Sequence, residues 1–242
     1  MANPDDFFTH INTFFESTNV DFMNHGYYPS HNFIKKEDKI FKNQLSLYLS
    51  LFDNLKFTNK NILEVGCGRG GGIKGLSKYF NFTEIYACDL NKKNIEYCNK
   101  NNTNINFKVS NAESLDYENN YFDIVINVES SHNYQNPSLF FNEVRRVLKP
   151  DGIFLYTDLG LVIHTFPNFF RLFKNIIRTD ITKNVANACK EDIENFKSLK
   201  IKQEVKERLI SIAEKKYYTE YSLRNNQYIK YVSSDSDDWF NK

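Results

Sequence analysis

Unbalanced charge is the first thing this sequence lacks. Its 31 Lys and Arg stand against 30 Asp and Glu, a formal net charge of +1 over 242 residues. That balance leaves no basic footprint for a nucleic acid. Cysteine is sparse as well: Cys67, Cys88, Cys98 and Cys189 form no CxxC pair and no metal-ligand spacing with histidine. They read as ordinary thiols of a reducing compartment. No apolar run approaches the length of a membrane span, and the N-terminus has neither the basic region nor the apolar core of a signal peptide. A cytoplasmic protein with no membrane span is the expectation. There is no internal repeat or low-complexity linker, and no carboxylate pair demands a metal ion, so no metal is expected. Glycine is rare, with 9 residues in all, and its distribution is uneven: five of the nine fall between Gly66 and Gly72.

That cluster organises the chain. Ile62 to Val65 is a short apolar strand, the glycines follow, and Ile73 to Phe80 places apolar residues at Ile73, Leu76, Tyr79 and Phe80, the spacing of one helical face. Strand, glycine turn and helix form the corner at which α/β proteins hold nucleotides, because missing Cβ atoms let the backbone approach a ligand. Gly66, Gly68 and Gly71 satisfy G-x-G-x-x-G, which keeps a dinucleotide and an NAD(P)-dependent dehydrogenase open. Glu64 pulls the other way: a carboxylate at the strand end suits a cationic or hydroxyl-bearing ligand better than a pyrophosphate.

The remaining pattern alternates strand and helix, as a parallel α/β sheet does. Glu84 to Asp89 is a second strand. Asp89 lies 23 positions after Gly66, where such folds present a carboxylate to ribose hydroxyls. Asn106 to Val109 is a third strand and Asn120 to Val128 a fourth, apolar almost throughout as an interior parallel strand must be. Past it stand Glu129, Ser130, Ser131, His132, Asn133 and Tyr134, at the strand end where open α/β sheets bind ligands. Helix Ser138 to Leu148, the turn Lys149-Pro150-Asp151-Gly152 and strand Ile153 to Thr157 lead to Asp158. Further on, Phe166 to Phe173 reads as a helix, Asn175 to Ile181 as the sixth strand and Asn226 to Val232 as the seventh. His164 reads as a core or surface histidine. Residues 1–56 read as an N-terminal helical cap, with helices over Asp5 to Thr18 and Lys36 to Phe52. Residues 57–242 read as one main domain carrying a helical lid over about 183–217. The length suits a single compact unit.

Glu64-Val65-Gly66-Cys67-Gly68-Arg69-Gly70 resembles the E/D-x-G-x-G-x-G signature of class I S-adenosylmethionine-dependent methyltransferases. The run from Val125 to Asp158, with its E-S-S-H-N-Y and L-K-P-D-G segments, and Asp180-Ile181-Thr182-Lys183-Asn184-Val185 resemble bacterial natural-product O-methyltransferases acting on polyketides, lipids and sugars, the phthiotriolone methyltransferase type among them. The resemblance implies a Rossmann-like seven-stranded sheet in the order 3-2-1-4-5-7-6 with helices on both faces. It also implies S-adenosylmethionine as cofactor, with S-adenosylhomocysteine as product. Glu64 would hold the methionine part, with Gly66, Cys67, Gly68 and Gly70 making room for it. Asp89 and Leu90 would serve the ribose, Asn111, Ala112 and Glu113 the adenine, and Asn127 is a further expected cofactor-binding residue. Relatives carry Asp where this chain has Asn111. Tyr27 would lay an aromatic face over the sulfonium.

Glu129, His132 and Tyr134 are the expected acceptor contacts. His132 is also the expected general base, with Asp158 fixing its tautomer from the neighbouring strand. The expected partner is a small-molecule acceptor, no nucleic acid is expected, and the assembly is a monomer or homodimer. Transfer to nitrogen or carbon, and a silent cofactor-binding role beside another enzyme, stay open.

Overall fold

The computed structural model describes residues 20–101, 104–159, 169–199, 203–222 and 228–234. The expected helix over Asp5 to Thr18 and the position of His164 lie outside them. The strands are β1 (Lys60–Val65), β2 (Phe82–Asp89), β3 (Asn106–Val109), β4 (Phe122–Val128), β5 (Leu148–Leu159), β6 (Asn175–Asp180) and β7 (Tyr228–Ser234). They form one seven-stranded sheet in the order β3-β2-β1-β4-β5-β7-β6. β7 runs antiparallel to both β5 and β6, and the other pairings are parallel. Fold and strand order are those the resemblance implied.

β4 shows why the sheet reads so plainly in sequence. Ile124 and Ile126 join the core on one face of the sheet, while Phe122 and Val125 join the core on the other. Both faces are covered, so the alternation disappears into a continuous apolar run. The turn expected at Lys149 to Gly152 sits inside β5 instead. Phe122 pairs with Leu148 and Ile124 with Ile153, so these four residues bulge opposite Asp123. The Asp123 carboxylate fills the bulge, accepting from Lys149 Nζ at 3.0 Å and from Asn61 N at 2.9 Å.

Helices cover the sheet: α1 (Lys42–Leu51), α2 (Gly71–Leu76), α3 (Lys92–Asn101), α4 (Pro137–Val147), α5 (Phe169–Leu172), α6 (Thr182–Ser198) and α7 (Gln203–Ser222). The single helix expected over Lys36 to Phe52 is in fact a 3-10 stretch, Lys36–Phe41, followed by α1. Leu45, Leu47, Leu49 and Leu51 alternate like a strand, yet all four are buried in a helix. They point to different sides of α1, and every residue from Asn43 to Leu51 is buried. A helix buried all round lies within a core, and α1 shares its cluster with Ile62, Ile124 and Leu155 of the sheet while burying Asn43, Gln44, Ser46 and Ser50 as well.

The segment expected as a lid is two helices, α6 and α7, packed on each other. Phe196, Leu209 and Ala213 share a small core with Val20 and Met23 of the N-terminal segment. Because α1 is part of the main core, Leu47→Ala should destabilise the protein by roughly 2–5 kcal/mol and leave unfolding a single transition. Denaturant melts followed by far-UV circular dichroism and by tyrosine fluorescence check this. Non-coincident curves would mean that α1 comes away separately.

Candidate active site

The loops after β1 to β4 open on one side of the sheet, together with Asp21 to Asn24, around a cleft of about 420 Å³. Gly66 N and Cys67 N both donate to Cys88 O, at 2.8 and 3.0 Å, which staples the glycine loop to β2. Gly66, Gly68 and Gly70 have φ of 73°, 53° and 76°, values that side-chain-bearing residues adopt only with strain. A Cβ on Gly66 would overlap Ser130 Oγ and the Tyr134 hydroxyl. Gly68 lines the cleft, whereas a Cβ on Gly70 would run into Cys98 and Phe107. Gly70 thus gives the loop close packing on α3 and β3 rather than room for a ligand.

Glu64 does not line the cleft. It is fully buried behind it, accepting from the Tyr48 hydroxyl at 2.8 Å and from Ile73 N in α2 at 3.1 Å. Tyr48 lines the cleft in its stead. Burial pushes the Glu64 carboxyl up to about 8, although both hydrogen bonds act to lower it. The Glu64 carboxylate therefore occupies the helix N–H that a dinucleotide pyrophosphate would need.

Asp89 does line the cleft. Its Oδ2 accepts from Gly68 N at 2.8 Å, and its Oδ1 from Asn91 N at 2.8 Å and Asn94 Nδ2 at 3.2 Å. Desolvation raises its pKa against those three donors. Leu90 sits exposed at the rim, and Ser110, Asn111, Ala112 and Glu113 form the far wall. Asn111 Oδ1 accepts from Glu113 N at 2.9 Å, an Asx turn that occupies the oxygen an adenine amine would seek. Tyr27 is not a lining residue. It packs on the main core, with its backbone N donating to Asn43 O at 2.8 Å. Asn127 is buried beneath the floor and braces it, donating to Val65 O and to the Tyr134 hydroxyl.

At the opposite end of the cleft the strand ends of β4 and β5 meet. Glu129 and Tyr134 line the cleft. His132 Nδ1 lies 2.7 Å from Asp158 Oδ1, while Asp158 Oδ2 accepts from Ser131 Oγ at 2.7 Å and His132 N at 3.2 Å. Asn133, a lining residue, places Nδ2 2.9 Å from His132 Nε2. This network assigns the ring proton to Nδ1 and leaves Nε2 as the acceptor of the Asn133 amide; His132 and Asp158 themselves stand behind the lining residues. Desolvation pulls the His132 pKa down, but the hydrogen bond and charge of Asp158, helped by Glu129, outweigh it, and the pKa is raised. The residue the sequence did not single out is His25. Its ring Nδ1 closes on Glu129 Oε2, and its backbone N donates to both carboxylate oxygens of Glu129. Among the described residues no cluster could hold a metal ion, and no helix is long and apolar enough to cross a membrane.

Comparison with known proteins agrees with this geometry. Residues 63–156 match the family model of the methyltransferase domain. The chain is 38% identical over 144 residues to the fatty-acid O-methyltransferase of Mycolicibacterium smegmatis, covering 57% of this chain and 53% of that one. It is 35% identical over 128 residues to phthiotriol/phenolphthiotriol dimycocerosates methyltransferase 1 of Mycobacterium ulcerans, covering 52% and 47%. The chain thus spans about half the length of the curated relatives it matches. Among solved structures, the [4+2]-cyclase SpnF shares the fold with a TM-score of 0.69 at 14% identity, over 95% of this chain and 94% of that one.

The raised pKa of Glu64 makes a signed prediction. Its folded value lies above the ordinary 4.5, so its contribution to stability is full below about pH 4.5 and is lost progressively as pH climbs toward 8. Glu64→Gln should lack that part of the slope. Chemical denaturation of parent and variant between pH 5 and 8.5 measures the difference, and parallel curves would mean that Glu64 is ionised throughout.

Proposed function

We propose that this chain, which carries a class I S-adenosylmethionine-dependent methyltransferase domain, binds S-adenosylmethionine in the cleft and transfers its methyl group to a hydroxyl of a small-molecule acceptor. The observation that carries the acceptor half of the reading is the His132–Asp158 pair at 2.7 Å beside the cleft. The cofactor half is supported by the glycine loop, whose Gly66 and Gly68 line the cleft with left-handed backbone, and by Asp89, which Gly68 N holds beside it. The fold alone decides neither half, since a protein named for cyclisation shares it.

Glu64 and Tyr48 fix the wall at the glycine loop, and Asp89 offers carboxylate oxygens to two ribose hydroxyls. Ala112 supplies an apolar face at the adenine end, with Asn111 and Glu113 at its edge. Once bound, the cofactor supplies a methyl group on a sulfonium that needs no further activation. What remains for the protein is alignment and the removal of one proton. Asp158 holds the His132 ring by Nδ1 and stabilises the imidazolium that forms. Nε2 takes the hydroxyl proton once Asn133 gives way to the acceptor.

Cofactor binding is tested by calorimetry with S-adenosylhomocysteine and NADH. The former should bind and raise the melting temperature by mass action, and NADH should not bind. Asp89→Ala should weaken S-adenosylhomocysteine by about 1.5–3 kcal/mol, the worth of hydrogen bonds to a charged acceptor. Unchanged affinity would take Asp89 out of the site. The base is tested with an acceptor found by metabolite screening. His132→Ala should lose turnover by roughly 10²–10⁴-fold while still binding S-adenosylhomocysteine. Turnover within a few-fold of the parent would point to an acceptor atom with no proton to give up.

A further inference from the structure

Residues 20–28 form a strap along one side of the cleft, contributing Asp21, Phe22, Met23 and Asn24 to its wall. The strap is tied at intervals. Arg69 Nε donates to Val20 O at 2.9 Å, and its guanidinium lies 3.5 Å from the centre of the Tyr97 ring. The Tyr97 hydroxyl and Lys74 Nζ both reach the Asp21 carboxylate, at 2.6 and 3.2 Å. Asn24 Nδ2 donates to Gln44 O at 2.9 Å, and Tyr28 N donates to Asn184 O at 3.1 Å. Those ties reach α1, α2, α3 and α6. A further tie reaches the reacting end of the cleft: His25 on Glu129.

This contact has the marks of a built feature. Glu129 is a non-glycine residue with φ of 48°, and its carboxylate side chain is 5% exposed. Such a backbone persists in a side-chain-bearing residue only where its surroundings hold it. One residue supplies all three polar contacts to that carboxylate, from 104 positions away. The carbonyl of His25 is held in turn by Gln44 Nε2 at 3.3 Å, and the same nitrogen donates to the buried Asp192 of α6. Gly26, with φ of 104°, turns the chain directly afterwards, where a Cβ would strike the backbone of Asn43. Both His25 and Glu129 lie close enough to His132 for their charges to act on it.

We infer that His25 is a positioning residue of the reaction: closed on Glu129, it seats the strap as the wall that retains the cofactor and links the lid helix α6 to the acceptor end of the cleft. The inference rests on the proposed cofactor, so S-adenosylhomocysteine is the probe. Stopped-flow dissociation of S-adenosylhomocysteine is measured for the parent, His25→Ala, His25→Asn and Glu129→Gln, with circular dichroism confirming that each is folded. His25→Ala should release the probe roughly tenfold faster, the factor that about 1.4 kcal/mol represents. His25→Asn, whose side-chain amide can donate to the same carboxylate, should recover most of the loss. Glu129→Gln, which removes the charge and keeps the shape, should behave like His25→Ala. In parallel, chymotryptic cleavage after Phe22 should be suppressed by saturating S-adenosylhomocysteine in the parent and not in His25→Ala. A His25→Ala protein that keeps the parent's dissociation rate and protection overturns the inference. So does a loss in Glu129→Gln alone, which would make Glu129 a direct ligand contact with no need of the strap. A parent that fails to bind S-adenosylhomocysteine at all would instead remove the cofactor reading on which the inference stands.

Discussion

A buried carboxylate decides how the glycine corner is built. Glu64 closes β1, has no access to water, and joins two other elements: Tyr48 of α1 through a hydroxyl and Ile73 of α2 through a backbone N–H. Burying a carboxyl without partners would be costly. Here both partners come from segments that must lie in place before the loop between them can. The glycines do the rest, since three of them hold left-handed backbone and Gly66 and Cys67 hang on Cys88 O. The cleft is therefore shaped from behind, by a residue that does not line it. The same carboxyl takes up the Ile73 N–H of α2, a helix-start donor that a dinucleotide pyrophosphate would use at a similar glycine string.

The sheet was legible because its causes are local. β4 is an unbroken apolar run, Asp89 stands at the end of β2 at the spacing a nucleotide corner uses, and turn residues separate the units. Each of those signals lies within a few residues of what it specifies. The bulge in β5 was not legible: Lys149-Pro150-Asp151-Gly152 carries every mark of a free turn, and only the Asp123 carboxylate across the sheet draws it into the strand. α1 misled in a different way. Leucines at every second position read as an apolar run whose faces cannot be ranked, and only the tertiary core shows that all faces are buried.

Within the site the same division holds. His132 and Asp158 were found because one follows the end of β4, the other stands near the end of β5, and the two strands are neighbours in the expected order. Topology alone brought the side chains within reach. Glu64 and Tyr27 were assigned to the ligand because a motif places such residue types there. The structure puts Glu64 behind the wall and Tyr27 on the core, and Tyr48 and His25 stand closer to the cleft. No sequence spacing announces either. Tyr48 is one residue of a buried helix whose rotation is set by packing, and His25 meets Glu129 across 104 positions. The one local signal near His25 was the Asn24-His25-Gly26-Tyr27-Tyr28 turn, where the tyrosines drew attention and the histidine beside Gly26 did not.

The division has a consequence for where this protein's chemistry resides. This fold is shared by a protein named for cyclisation as well as by one named for methyl transfer, so the fold supplies a place and not a reaction. At the β4 and β5 ends two carboxylates, Glu129 and Asp158, each hold a histidine, one from the strap over residues 20–28 and one from the segment after β4. Asp158 is buried in the sheet and paired in register with Ile229, which makes its hold on His132 as rigid as the strands themselves. Glu129 lies past the strand in a backbone conformation with little intrinsic preference, and its partner arrives on a strap of irregular backbone. In the proposed reading, rigidity falls on the pair given the acceptor proton, and adaptability on the pair that seats the strap. A site that must admit a cofactor, hold it and release its product requires that asymmetry.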